Sequence, residues 1–376
     1  MAYIGRTPTN SILTGADIAD GSISTAKIAD TAVSTAKIAD TAISTAKIAD
    51  NSITTAKTAF NDIPFRNRII NGDISVSQRG TSFSDVASGD YTIDRWKMNY
   101  RAIGNADISQ VDNKTYKSLK VLNSNGSTQE IIMGTRIEDI TQFNNDSFIL
   151  SFYAKASTSC TLDTRVFENY GSGGSTTVTR VASGSQNKTI TTSRQRFTIT
   201  FTASDMSSLT IGTSNFLEIN FSVSLASGAN WEYDSVQLEQ GTTVSDFEFI
   251  PFDVNLQRCQ RYFETIGNQG IDTIIGYGFG SGSDTARTMY LFKTTKRANP
   301  TMSDSFSSSR QYRIEFTSTD GTATNQNSTG TPSFSSPSVV NSGYIQVGGF
   351  SSIGGGHNGF LRYNNTTTII TADAEL

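Results

Sequence analysis

The 376-residue chain has one histidine, His357, and two cysteines, Cys160 and Cys259. A single imidazole withholds the usual proton shuttle and most zinc chemistry. Two thiols cannot build a disulfide framework or a cluster of paired thiolates. No apolar run approaches the eighteen or more residues of a membrane span, and the opening MAYIGRTPTN has no charged head before an apolar core, so neither membrane insertion nor a secretion address is expected. A basic excess is missing too. Lys+Arg 30 against Asp+Glu 34 gives a formal net charge of -4, and no basic block stands out, so the footprint of a nucleic-acid binder is absent. Ser, Thr, Gly and Asn are abundant instead, charges are sparse, and aromatic residues reach 10%. Such a composition suits many short strands joined by polar turns. Helix bundles, which Leu, Ala, Glu and Lys dominate, suit it poorly.

The N-terminal part repeats ten residues almost verbatim in STAKIADTAVSTAKIADTAISTAKIAD, Ser24 to Asp50. Large apolar residues fall at Ile23, Ile28, Val33, Ile38, Ile43, Ile48 and Ile53, five apart. On an α-helix that spacing turns successive side chains by ~140°. On a strand it throws them to alternate faces. The decad therefore has to mix conformations: a helical turn over STAKIA capped by Ser24 or Thr25, a turn at Asp30, then a short extended piece through Val33. Fixing a residue's backbone costs about 1–2 kcal/mol. One large side chain in five returns only roughly 1.5–3 kcal/mol on full burial. Burial against further copies of the same chain is the remedy the sequence predicts. The alternative is a disordered spacer, although disordered linkers rarely keep Ile at every fifth residue.

Beyond residue 60 the sequence stops repeating. DSFILSFYAKAS, QRFTITFTAS and FLEINFSVSL alternate apolar and polar residues, the period of half-buried strands, between turn clusters such as YGSGGST and SGSQNK. About eight such strands predict a two-sheet β-sandwich of the jelly-roll sort over 61–250. PFDVNLQRCQRYFETIG then predicts a helix over 251–267, with Asp253 as cap and Leu256, Cys259 and Phe263 as a narrow apolar stripe. From Ile271 the pattern is β-rich again, with two Gly-rich loops, Gly276–Asp284 and Val347–Phe360, neither of which contains a phosphate-cradling motif. The expected architecture is mainly β: an N-terminal segment (1–20), a decapeptide-repeat stalk (21–60), a jelly-roll-like sandwich (61–250), a short connecting helix (251–267) and a small C-terminal β tip domain (268–376).

Four blocks, NRIINGDISVSQRG, YTIDRW, YDSVQLEQG and FEFIPFDVNLQRCQRYFE, resemble the receptor-binding region of phage and prophage tail fibre proteins across about residues 64–265. Ile250 replaces the usual basic residue before Pro251, and Val254–Asn255 replace the usual acidic position. The decads are similar to the stems of marine-phage fibres, and the opening MAYIG and the ending TADAEL recur in such chains. The resemblance implies a homotrimer, made and assembled in the host cytoplasm, that joins the virion tail or an adaptor through its N-terminus. It also implies binding to a host surface glycan or outer-membrane protein without catalysis. The sandwich is similar as well to carbohydrate-binding modules, in which acidic groups at strand ends can hold a structural calcium ion; Asp73 and Asp234 are the matching positions.

Candidate glycan-binding residues are Trp231 and Tyr233 near the edge of the last sandwich strand, and Phe350, His357, Asn358 and Tyr363 in the tip, which offer ring faces and amide hydrogen bonds. For each, a place in the core or in a plain hairpin is the competing reading. Trp96, within DRW, reads as a core anchor. A fibre or adaptor without receptor contact is the runner-up function. A polysaccharide-cleaving tailspike would need two carboxylates at fixed separation. Asp163/Glu168 and Glu232/Asp234 are the available pairs, and neither sits in a recognisable motif.

Overall fold

The computed structural model describes residues 65–101, 104–267, 273–305, 312–317, 323–330, 332–335, 340–351, 353, 358–364 and 369–376, with short pieces between 18 and 48. The chain divides into two compact units, Met1–Asn61 and Asp62–Leu376.

In the first unit, turn hydrogen bonds recur every five residues. The amides of Ser22, Lys27, Ala32, Lys37 and Ala42 donate to the carbonyls of Ala19, Ser24, Ala29, Ser34 and Ala39 at 2.9–3.0 Å. Thr25–Lys27 forms a 3-10 turn, a tighter version of the helical turn expected over STAKIA. Lys27 and Lys37 reach back with Nζ to the carbonyls of Ser22 and Ala32 at 2.7 Å, and Lys47 to that of Ala42 at 2.9 Å. The structural period is therefore five, half the sequence period, because both halves of the decad close one turn and only the STAKI half carries the lysine clasp. Ile23, Ile28, Val33, Ile38, Ile43 and Ile48 are all 38–57% exposed. Ile53, Asp30 and residues 1–17 lie outside the described residues.

The second unit begins with a sandwich of two antiparallel sheets. One runs β1 (Ser82–Phe83), β3 (Ala106–Asp112), β4 (Lys117–Asn123), β12 (Asn230–Gln240), β6 (Ser147–Ala156) and β10 (Gln195–Thr202). The other runs β2 (Lys97–Arg101), β5 (Gln129–Glu138), β11 (Phe216–Leu225), β7 (Cys160–Asn169) and β8 (Val178–Val181), with β9 (Lys188–Ile190) also on β7. Twelve strands form where about eight are predicted, since short ones such as β1, β8 and β9 carry too little alternation to be read. In β11 the period is plain: Leu217, Ile219, Phe221, Val223 and Leu225 are buried between the sheets while Glu218 and Ser224 face outward.

The NRIINGD segment acts as a staple. The Val236 amide donates to Gly72 O at 2.8 Å, at a bulge between Asp234 and Gln237. A Cβ on Gly72 would lie 2.0 Å from Val236 O, so only glycine fits. Buried Asn71, at φ 58, donates to the carbonyls of Val76 and Asp94 and accepts from the Val76 amide. Asn255 bonds Asn71, Asp73 and Ser75, which joins the opening motif to the helix.

That helix, α1, spans only Phe252–Gln260; Pro251 takes the N-cap position with no side-chain cap bond, so Asp253 sits inside the first turn. The prediction of a helix to 267 fails because Phe263–Ile266 is strand β13. Paired with β22 (Ile370–Asp373), it obtains backbone partners that a further helical turn would forgo. Of the expected stripe, Cys259 is buried on the helix, Leu256 is half-buried, and Phe263 is buried on the strand. β22 also pairs with β16 (Thr301–Asp304).

The tip sheet has seven antiparallel strands in the order β18 (Ala323–Asn327), β17 (Tyr312–Thr317), β21 (Asn358–Tyr363), β14 (Ile274–Gly280), β15 (Ala286–Leu291), β20 (Ser342–Val347) and β19 (Pro332–Ser335). Its core holds Ile275, Ile314, Ile345, Leu361 and Tyr363. The last residues return to the sandwich. Glu375 forms an ion pair with buried Arg95 and, at 3.4 Å, with Arg79. Tyr91 Oη and Arg136 Nη1 donate to Leu376 O at 2.9 and 2.8 Å. Among the described residues no helix is long and apolar enough to cross a membrane.

Candidate functional site

Strand β14 reads IIGYGFG. Gly276, Gly278 and Gly280 alternate with Tyr277 and Phe279, so the small residues share one face and the rings the other. The usual amphipathic strand is inverted here, with bulk facing solvent. Gly278 has to be small: a Cβ there would lie 1.9 Å from Arg287 O on the neighbouring strand. The Gly-rich stretch expected as a loop from Gly276 is thus a strand as far as Gly280, and it displays two rings.

Cross-strand register extends this face. Tyr277 stands opposite Phe360, with ring centroids 5.3 Å apart at 69°, the edge-to-face arrangement aromatic quadrupoles favour. Phe279 is opposite Asn358 on one side and Arg287 on the other, and Met289 is opposite Tyr344. Tyr277 is 61% exposed and Phe360 39%; Phe279, Met289, Leu291 and Tyr344 are exposed as well. Phe279, Arg287, Tyr344 and Gln346 line a hollow of about 220 Å³. Arg287 Nε donates to Gln346 Oε1 at 2.6 Å, which orients the guanidinium along the hollow. At the far side Arg362 pairs with Glu315 at 2.9 Å and lies 5.6 Å from the Phe360 ring centroid. The face thus offers flat apolar rings flanked by a guanidinium and amides. Such a face has the chemistry to cover the C–H faces of a pyranose with its rings while the polar groups take hydroxyls.

Of the predicted glycan-binding residues, only Asn358 joins this face. Trp231 and Tyr233 are fully buried, stacked at 4.7 Å and packed with Trp96 and Phe221 in the centre of the sandwich. Inward residues of β12 lie between two sheets, so neither ring has a face to offer a ligand. Trp96 is the core anchor expected. Phe350 and Tyr363 are likewise buried in the tip core, where Tyr363 Oη donates to Ile266 O at 2.6 Å. His357 lies outside the described residues. Tyr277, Phe279, Phe360 and Tyr344 were missed as site residues. The signal was present in GYGFG, where glycine occupies every position that a core-facing strand would fill.

The carboxylates are committed elsewhere. Asp163 and Glu168 point to opposite faces of β7; Asp163 accepts from Arg165, Ser183 and the Gly184 amide, and buried Glu168 from Tyr170 and Ser204. Glu232 pairs with Lys155 and accepts from Ser118, and Arg194 chelates Asp234. Asp73 accepts from Asn255 and from the Ser75 amide. For Asp234, then, a guanidinium supplies the neighbouring positive charge. Among the described residues no three His, Cys, Asp or Glu side chains gather as a metal-holding group.

The outer face of the β2–β8 sheet provides a contrast. Its hollow of about 450 Å³ is lined by Glu130, Cys160, Asp163, Arg165 and Ser222 among others. Here the polar groups satisfy one another: Arg165 bridges Asp163 and Glu130, and Ser222 donates to Glu130 at 2.6 Å. No aromatic ring lines it. Burial pushes the half-buried Cys160 thiol pKa up, so it stays protonated.

No protein-family model matches the chain, and no curated protein does. Solved structures do resemble it. A family 11 carbohydrate-binding module from Clostridium thermocellum, in complex with a beta-1,3-1,4-mixed-linked tetrasaccharide, is 15% identical with a TM-score of 0.27, covering 44% of this chain and 99% of its own. The N-terminal cellulose-binding domain of Cellulomonas fimi beta-1,4-glucanase C is 21% identical, with a TM-score of 0.25 over 34% of this chain and 80% of its own. The enzymatically active domain of bacteriophage CBA120 tailspike protein 4 is 15% identical, with a TM-score of 0.28 over 47% of this chain and 22% of its own. Likeness at this level leaves ligand and function to the residues themselves.

Proposed function

We propose that the chain is a non-catalytic adhesive fibre subunit, in which copies associate through the repeat stalk and the tip presents its aromatic face to a host surface glycan. The observation that carries the reading is the open ring platform of Tyr277, Phe279 and Phe360 beside the Arg287–Gln346 hollow. Six stalk side chains left at least 38% exposed support association into a homotrimer, the state the tail-fibre resemblance implies. Residues 1–20 would attach such a trimer to a virion tail or adaptor. Three tips on one stalk convert individually weak contacts into avidity.

The test is binding of the full-length chain to a glycan array and to host cells before and after polysaccharide stripping, with phage adsorption as the competition readout. Saturable binding that is lost on stripping and that blocks adsorption supports the reading. A second reading rests on Met289 and Leu291, exposed aliphatic neighbours on the same face, which suit contact between protein surfaces. Under it the face is covered by another copy, and the fibre acts as an adaptor. Absence of glycan or cell binding by an intact oligomer would favour that alternative.

A further inference from the structure

The opening NRIINGD staple and the helix that it is tied to each contribute an arginine to one cleft. Arg68 of NRIINGD and Arg258 of LQRCQRYF, 190 positions apart, both line a cavity of about 520 Å³ whose other walls include Phe65, Glu138, Asp139 and Tyr262. The charged groups around it are mostly committed. Glu138 accepts from Arg261 and Tyr262, Asp139 from the Thr141 amide and hydroxyl, and Arg136 pairs with Glu218. Arg68 Nε and Arg258 Nη1, in contrast, are buried and meet no hydrogen-bond acceptor, and neither guanidinium is ion-paired among the described residues. Burial pushes the Arg258 pKa below its ordinary value, and the opposing pull of Cys259, Glu248 and Tyr262 does not offset it.

We propose that this cleft binds an oxyanion carried on a sugar-sized group, a carboxylate- or phosphate-bearing saccharide, with Arg68 and Arg258 as its anion-holding pair. A buried charged donor without an acceptor is unfavourable, so a retained pair calls for a ligand that completes it. The planar guanidinium fork matches carboxylate and phosphate oxygens. The cavity is of the size that holds small organic ligands, larger than a bare inorganic anion needs. The 57% exposed Phe65 ring and Tyr262 supply apolar walls for the rest of the molecule. Glu138 and Asp139 confine the acceptor region to the arginine side. None of these residues lies on the tip face, so the inference stands or falls independently of the glycan platform.

Isothermal titration of the full-length chain with glucuronate, glucose 6-phosphate, inorganic phosphate and glucose tests it. At least one sugar anion is expected to bind saturably, the tighter of the two identifying the acid, while glucose does not bind. Arg68→Gln and Arg258→Gln should each weaken binding at least tenfold, and added salt should weaken it too. The free variants should melt at or above the parent temperature, since each loses an unpaired cation. Failure of both sugar anions to bind, or binding that survives both substitutions, would overturn the site. Inorganic phosphate binding as tightly as the sugars would overturn the saccharide assignment. A lower melting temperature in both free variants would mean the guanidiniums serve the fold instead.

Discussion

Removing the Tyr277 ring is the most direct probe of the aromatic face. A large apolar side chain contributes roughly 1.5–3 kcal/mol on complete burial. Tyr277 is 61% exposed, so a sugar covering that share recovers about 1–2 kcal/mol, and Tyr277→Ala should weaken glycan binding about five- to thirty-fold. Phe360, at 39%, should cost about three- to eight-fold on truncation. The rings touch, so the double variant should depart from the product of the single effects. Folding should change little, because the lost edge-to-face contact contributes only about 0.5–1.5 kcal/mol. Titration calorimetry on the tightest array ligand reads the affinity, a thermal melt reads the fold, and Tyr277→Phe, which keeps the ring, serves as control. A folded Tyr277→Ala/Phe360→Ala variant whose affinity stays within about twofold of the parent would refute stacking as the mode of recognition.

Further outcomes follow from other parts of the chain. Covering the exposed share of the six stalk Ile and Val residues is worth about 4–9 kcal/mol per chain, so Ile28→Asp with Ile38→Asp should leave monomers, as sedimentation would show. Glu375→Gln removes the partner of buried Arg95 and should cost about 3–5 kcal/mol in a denaturant titration; a loss below 1 kcal/mol would make the contact incidental. Burial pushes the Glu138 pKa up, but the hydrogen bonds from Arg261 and Tyr262 outweigh it and hold the carboxyl below its usual range. Its contribution is therefore present above the unfolded pKa and lost as pH falls through the lower folded value, so melts should be level near neutrality and decline in acid. Glu138→Gln should shrink that acid limb.

The sandwich was legible because its long strands alternate strictly, and FLEINFSVSL states which face is buried before any coordinates do. The helix end was misread because CQRYFE keeps helical spacing through Phe263, while the decisive partner, Ile370–Asp373, lies more than a hundred residues away. Local pattern cannot register a pairing at that distance. Trp231 and Tyr233, read near the edge of the last sandwich strand, were ambiguous for the same reason, since the strands that enclose them, β4 and β6, are 75 or more residues away in sequence. Five-residue spacing excluded uniform helix and strand but did not by itself reveal two turns per decad. At the tip, the glycine pattern predicts a loop from Gly276 where glycine instead marks close approach between strands.

The returning C-terminal segment also bears on mechanics. Pulling on the aromatic face loads β14 and its neighbours, and at least two routes carry that load to the sandwich. One is the covalent chain through Tyr262 and Phe263. Another is the antiparallel pairing of Ile370–Asp373 with Phe263–Ile266, continued by Glu375 on Arg95 and Arg79. Arranged in parallel, these routes share the tension, so the tip stays in line with the sandwich under drag that would swing a domain hung from a single peptide.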